Sequence, residues 1–169
     1  MRAQELVSKL SLEPHVEGGY FRRTYQSGHR PMIVGGDDDG DEANRYLMSS
    51  IYYMLTREQP IGCMHRNKSD IMHVHNSGAP LRYYLLYPEG RLDTRVLGSN
   101  LDSGHELQFV VEGGVWKATE LIDDGEHDYG LLTEVVVPGF DYADMTLGVQ
   151  QSLLEVYPAH REVIERFCQ

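Results

Sequence analysis

Short β-type runs broken by turn chemistry constrain this chain more than any other feature. Runs rich in β-branched and aromatic residues lie at 20–25, 49–55, 71–76, 81–86, 107–111, 116–121 and 131–137. Between them fall Ser77-Gly78, Pro88-Glu89-Gly90, Gly113-Gly114, Asp123-Asp124-Gly125 and Pro138-Gly139. Many short strands at this spacing predict an all-β antiparallel sandwich or barrel rather than alternating βα units. The two ends read differently. Leu6, Val7 and Leu10 share one helical face before Pro14 and Gly18-Gly19 break the pattern. Near the other end Pro158 suits a first helical position, and Val163, Ile164 and Phe167 form a short apolar face expected to cap one end of the barrel.

At 169 residues the sequence fits one domain, residues 1–169, long enough to bury a core without metal or disulfide staples. Its 26 acidic and 15 basic residues give a formal charge of −11, which argues against a nucleic-acid partner. No apolar run reaches bilayer-spanning length, and the first residues lack the apolar stretch of a signal peptide, so no membrane partner is expected. Cys63 and Cys168 match no zinc or redox spacing, and free thiols suit a reducing, cytoplasmic compartment. Residues 34–43 are acidic, Gly-rich and aperiodic, and read as a flexible solvated loop. A calcium loop fails there: with Gly40 as its glycine, Gly35 falls at the first ligand position and Tyr46 at the bidentate acid.

Histidine carries the chemical signal. His65, His73 and His75 lie within eleven residues, and His73 and His75 flank Val74, so in a strand their imidazoles share a face. If His65 ends the preceding strand, the three could converge as a divalent-metal site for zinc, iron, nickel or copper. The plainer reading is three histidines satisfied in a core or facing solvent.

The segments Pro14-His15-Val16-Glu17-Gly18-Gly19-Tyr20, Ser50-Ile51-Tyr52-Tyr53 and His65-Arg66 resemble the RmlC-like cupins of the domain-of-unknown-function 985 type. Later pieces agree in order: Tyr87-Pro88-Glu89-Gly90, Leu97-Gly98, Gly113-Gly114-Val115-Trp116, Val137-Pro138-Gly139-Phe140 and Tyr157-Pro158. The resemblance covers nearly the whole chain. It implies a cupin double-stranded β-helix, a jelly-roll barrel with a pocket at its wider end and short flanking helices. It also implies a small-molecule ligand and a C2 homodimer formed by sheet addition near residues 20–25. The general cupin metal pattern, anchored on Gly78, puts His65 and Asn67 at its two histidine positions, Ile71 at its glutamate and Lys117 at its last histidine. Of four usual ligands only His65 survives. The family commonly keeps an acid at the position of Ile71 and aromatic residues at those of His73 and His75.

Other residues carry paired readings. His15 and Glu17 could reach the pocket mouth, in their own chain or from a neighbouring subunit, or Glu17 could only satisfy a tight turn. One of Arg22 and Arg23 should face inward, and Arg22 is the candidate to meet a ligand anion. One tyrosine of each pair, Tyr52 or Tyr53 and Tyr83 or Tyr84, should face the barrel, with Tyr52 and Tyr84 the candidate acids. Trp116 is a ligand-binding candidate or a wall residue, and Cys63 fills the wall. Asp141 and Asp144 read as turn and cap residues, and His29, His105, His127 and His160 as surface positions. Three functions fit. The first is an isomerase or epimerase on a polar, sugar-like or ring-shaped substrate. There His65 would be the base, Tyr52 or Tyr84 the acid, and Lys117 or Arg22 would hold the enolate charge. The second is a metalloenzyme using His65, His73 and His75. The third is a non-catalytic binding protein. For the first, no acid partner that would orient His65 is visible in the sequence.

Overall fold

Alternation of apolar and polar residues makes each run one-sided, and two such faces close on one another. The computed structural model describes residues 2–28, 31–34 and 43–168. Most of the acidic segment and His29 lie outside the described residues. The strands are β1 (Glu13–Pro14), β2 (Tyr20–Gln26), β3 (Pro31–Val34), β4 (Ala43–Tyr46), β5 (Ser49–Thr56), β6 (Ile61–Asn67) and β7 (Asp70–Gly78). They continue with β8 (Leu81–Leu86), β9 (Leu92–Leu97), β10 (Gln108–Val111), β11 (Trp116–Leu121), β12 (Tyr129–Val137) and β13 (Met145–Leu147). Six strands in the order β1-β2-β5-β12-β7-β10 form one antiparallel sheet, and β13-β6-β11-β8-β9 form the other. Strands β3 and β4 pair separately. Two antiparallel sheets of this order, face to face, are the expected jelly-roll.

The inner faces meet over Tyr53, Leu55, Leu81, Tyr83, Leu97, Phe109 and Leu132, one buried apolar cluster. The outer faces are covered by helices. Helix α1 (Ala3–Leu10) lays Ala3 and Leu6 on Met54, Tyr129 and Leu131 of the six-stranded sheet. Helices α2 (Gln150–Val156) and α3 (Arg161–Phe167) bring Leu153, Ile164 and Phe167 onto Met64, Leu86, Trp116 and Ala118. Those four point outward from the five-stranded sheet, so the C-terminal helices cover a sheet face rather than cap a barrel end. That is the larger apolar surface to hide. Burying Ile164 and Phe167 fully contributes roughly 1.5–3 kcal/mol each. No helix among the described residues is long and apolar enough to cross a membrane.

Strand register decides which side chains enter the barrel. Lys117 stands opposite His65 on β6, and Thr119 opposite Gly62, so β6 carries one extra residue between Gly62 and His65. That bulge re-aims His65 inward beside Lys117. On the other sheet Glu134 pairs with His73, and Phe21 with Tyr53.

Candidate functional site

The sequence His15-Val16-Glu17-Gly18-Gly19 folds as a tight turn wedged into the open end of the barrel. Gly18 and Gly19 both have positive φ, 101° and 70°, and a Cβ at Gly18 would lie 2.3 Å from the carbonyl oxygen of Ile61. Only glycine lets the turn sit this close. The Cys63 amide donates to the Glu17 carbonyl at 2.7 Å, and the Tyr53 hydroxyl donates to the Gly18 carbonyl at 2.9 Å. The turn is thus pinned to both sheets, and the Glu17 side chain drops into the interior.

There it meets His65. Glu17 Oε2 lies 3.2 Å from His65 Nε2, and the two residues are 8% and 5% exposed. His65 Nδ1 lies 2.8 Å from the Cys63 carbonyl in the bulge. A carbonyl only accepts, so Nδ1 carries the proton and Nε2 presents its lone pair to Glu17. Burial, reinforced by the Lys117 charge, lowers the His65 pKa to about 3. Burial, reinforced by Glu134, raises that of Glu17 to about 8, against the opposing pull of Lys117. At neutral pH the pair therefore holds one proton, on the carboxyl, which donates it to the imidazole. His15 sits beside it: its Nδ1 accepts from the Glu17 amide at 3.2 Å and lies 3.8 Å from Glu17 Oε2.

Lys117, opposite His65 on β11, and Glu134, opposite His73 on β12, both act electrostatically on the Glu17–His65 pair. Lys117 is 2% exposed, and burial lowers its pKa while Glu134 and Glu17 raise it. Burial alone would push Glu134 up, but His73, Lys117 and His65 hold it down to about 2. Glu134 Oε1 accepts from His73 Nδ1 at 3.2 Å, and the Tyr83 hydroxyl lies 3.2 Å from the same nitrogen. Two buried polar atoms here have no partner: His73 Nε2 and Asn67 Oδ1. The cavity measures about 370 Å³, with Phe21, Arg23, Asn67, Ile71, Glu134 and Phe140 among its lining residues.

Family membership can be read once this geometry is set against known proteins. The family model described as Cupin superfamily (DUF985) matches residues 4–148. The chain belongs to that family. An uncharacterized protein of Saccharomyces cerevisiae is 38% identical over 148 residues, spanning 85% of this chain and 73% of the yeast protein. A hypothetical protein from Leishmania major superposes with a TM-score of 0.87 at 29% identity, covering 99% of each chain. Protein SO0799 from Shewanella oneidensis gives 0.85 at 32%, covering 100% of this chain and 98% of that one. Oxalate decarboxylase from Bacillus subtilis gives 0.54 at 12%, covering 91% of this cupin and 36% of the enzyme, which speaks to fold alone.

Cupin membership raises the question of a resident metal, and the donor set does not fit one. At the four positions of the general pattern stand His65, whose free nitrogen is engaged by Glu17, an amide, the buried Ile71 and the cation Lys117. The alternative His65/His73/His75 site is also corrected. His73 is wedged between Tyr83 and Phe109, at ring-centroid distances of 4.9 and 5.6 Å. His75 keeps the inward parity but sits toward the other end of β7, where His105 and His127 depress its pKa after burial does. No group of three His, Cys, Asp or Glu among the described residues is placed to hold a metal.

Of the other sequence candidates, His15, Glu17 and Lys117 join His65, and Glu17 does so within one chain. Four do not. Tyr52 packs outward beneath α1, and Tyr84 outward against Phe167, donating to Glu120 at 2.9 Å. Trp116 lies in the outer cluster under Arg66, and Arg22 lines the cavity away from His65, its guanidinium donating to the Leu10 carbonyl at 2.9 Å. The inward members of those pairs are Tyr53, Tyr83 and Arg23. Asp141 caps a turn by accepting from the Ala143 amide, and Asp144 pairs with Arg45 at 2.6 Å, as turn residues do. Sequence reasoning missed Glu134. Its signal was present: one carboxylate inside the apolar run Leu131-Leu132-Thr133-Glu134-Val135-Val136-Val137 has to find a buried partner or a pocket.

Proposed function

We propose that this cupin binds a small polar, sugar-like or ring-shaped ligand and moves a proton on it, as an isomerase or epimerase does. The observation that carries the reading is the Glu17–His65 contact at 3.2 Å, a carboxyl and an imidazole sharing one proton at a ligand-sized cavity. Perturbed pairs of this kind concentrate where proton transfer occurs. Glu17 takes the acid role first sought among the tyrosines. It donates its proton to the carbonyl oxygen of the ligand, which frees His65 Nε2. The imidazole takes a proton from the adjacent carbon, and the new Glu17 carboxylate beside it supports the imidazolium. The nearby Lys117 favours the partial negative charge that builds on the carbonyl oxygen while the Glu17 proton is in transit. Return of the proton to carbon, and of the hydroxyl proton to Glu17, completes isomerisation with no net change in protons.

The test is exchange of carbon-bound protons in D2O, followed by proton NMR over a panel of hydroxy-ketones and keto-sugars. Exchange is expected with the natural protein and should fall at least 100-fold in His65→Asn and Glu17→Gln, the ordinary range for one acid or base. A non-catalytic reading is favoured by one feature, the occupation of His65 Nε2 by Glu17. Binding of a panel member without exchange would establish it. The C2 homodimer remains part of the proposal. Strand β1 pairs with β2 only at Tyr20 and Phe21, which leaves the rest of that edge open for sheet addition. Light scattering should give twice the chain mass.

A further inference from the structure

Eight arginines of this acidic chain face carboxylates: Arg2, Arg45, Arg57, Arg82, Arg91, Arg95, Arg161 and Arg166. Arg23 does not. Its guanidinium donates to the neutral amide of Gln26 at 2.7 Å, and no carboxylate among the described residues pairs with it. Register places it inward, opposite Ile51 and two residues from Phe21, and all three line the cavity. The same lining holds a different kind of unpartnered group, the buried amide oxygen of Asn67, 6% exposed.

We infer that the ligand is a small anion with a single phosphate or carboxylate group, which meets Arg23 at the mouth while a hydroxyl or N–H elsewhere on the ligand donates to Asn67. The orientation follows from charge. The Glu134 carboxylate, held low by His73, Lys117 and His65, lines the cavity beside His73, so an anion entering that far would meet its repulsion. At the mouth the guanidinium offers a planar fork with donors to spare, matched to phosphate and carboxylate. The uncharged end of the ligand then lies against Glu17 and His65. This inference rests on the proton-transfer reading only for which end reacts; the anion site stands on Arg23 itself.

The experiment titrates inorganic phosphate, and separately acetate, into the protein at constant ionic strength, reading the Arg23 side-chain N–H by NMR. Saturable shifts below about 50 mM are expected for at least one anion, the weak binding typical of a fragment. The anion that saturates first tells phosphate from carboxylate recognition. Arg23→Gln should weaken binding at least tenfold, with the titration then read at the Phe21 amide. Arg22→Gln should weaken it by less, because the Arg22 guanidinium is engaged by the Leu10 carbonyl. The absence of saturation by either anion would overturn the inference, as would equal effects of the two substitutions. Repeating the titration in His65→Asn separates the two ideas. Anion binding that persists there supports the site whatever the exchange assay shows, and exchange without anion binding leaves only the proton-transfer reading standing.

Discussion

Two buried charged clusters occupy opposite faces of β11, and they are built differently. On the outer face Glu120, 6% exposed, accepts from Arg82 and from the Tyr84 hydroxyl, both at 2.9 Å, and pairs with Arg166 of α3. Every partner there is a donor, and two guanidiniums serve one carboxylate. On the inner face Lys117, Glu17, His65, Glu134 and His73 divide their protons by burial and mutual charge, and two polar atoms stay without partners. A saturated cluster fastens an element. An unsaturated one at a cavity leaves room for a ligand and stores a movable proton.

The largest stability effect is expected on the outer side. Glu120→Ala removes three charge-assisted hydrogen bonds and the tether of α3, at about 1.5–3 kcal/mol each before the half-exposed arginines regain solvent. A net loss of about 3 kcal/mol in urea denaturation is the expected outcome, with proton exchange unchanged in the protein that remains folded. If exchange collapsed with stability preserved, the division between the two faces would be mistaken.

The inner cluster should show itself in pH dependence instead. A carboxyl whose folded pKa is raised binds a proton that the unfolded chain has already lost, so its contribution falls as pH rises from the unfolded value toward about 8. His65, lowered to about 3, acts oppositely, its contribution growing up to its unfolded value near 6.5. The two slopes offset one another between about 4.5 and 6.5, and only the Glu17 loss continues above that window. Through Glu17 stability should therefore decline between pH 6.5 and 8, by no more than about 2 kcal/mol because the lowered pKa of Lys117 works in the opposite direction. Glu17→Gln should remove that decline. Equal slopes in the two proteins would place the proton elsewhere.

What could be read from the sequence follows from what alternation encodes. The run at 81–86 became β8 and the run at 116–121 became β11 without change, because their turns are marked by Gly and Pro. Strand β6 was invisible, since Ile61-Gly62-Cys63-Met64 does not alternate and its bulge shifts the parity. The cupin motifs identified the family and the pocket histidine. They left open which member of Tyr52/Tyr53, Tyr83/Tyr84 and Arg22/Arg23 turns inward, because parity within a strand needs an anchor that only register supplies. Glu134 and its partner His73 come from strands 61 residues apart in sequence, a pairing no local pattern expresses.

The smallest expected effect tests that parity directly. The Tyr53 hydroxyl donates to the Gly18 carbonyl at 2.9 Å, while the Tyr52 hydroxyl makes no hydrogen bond among the described residues. Tyr53→Phe removes the hydrogen bond to the half-buried Gly18 carbonyl at about 1 kcal/mol, and it loosens the turn that carries Glu17. Tyr52→Phe should stay within about 0.5 kcal/mol of the natural protein. The sharper readout is the Glu17 carboxyl, followed by carbon NMR through its titration. A looser turn admits water, relieves the burial that raises its pKa, and should move the midpoint down from about 8 in Tyr53→Phe alone. A midpoint that moved equally in both variants would mean that the turn is held by its glycines and the Cys63 amide, with Tyr53 only lining the wall.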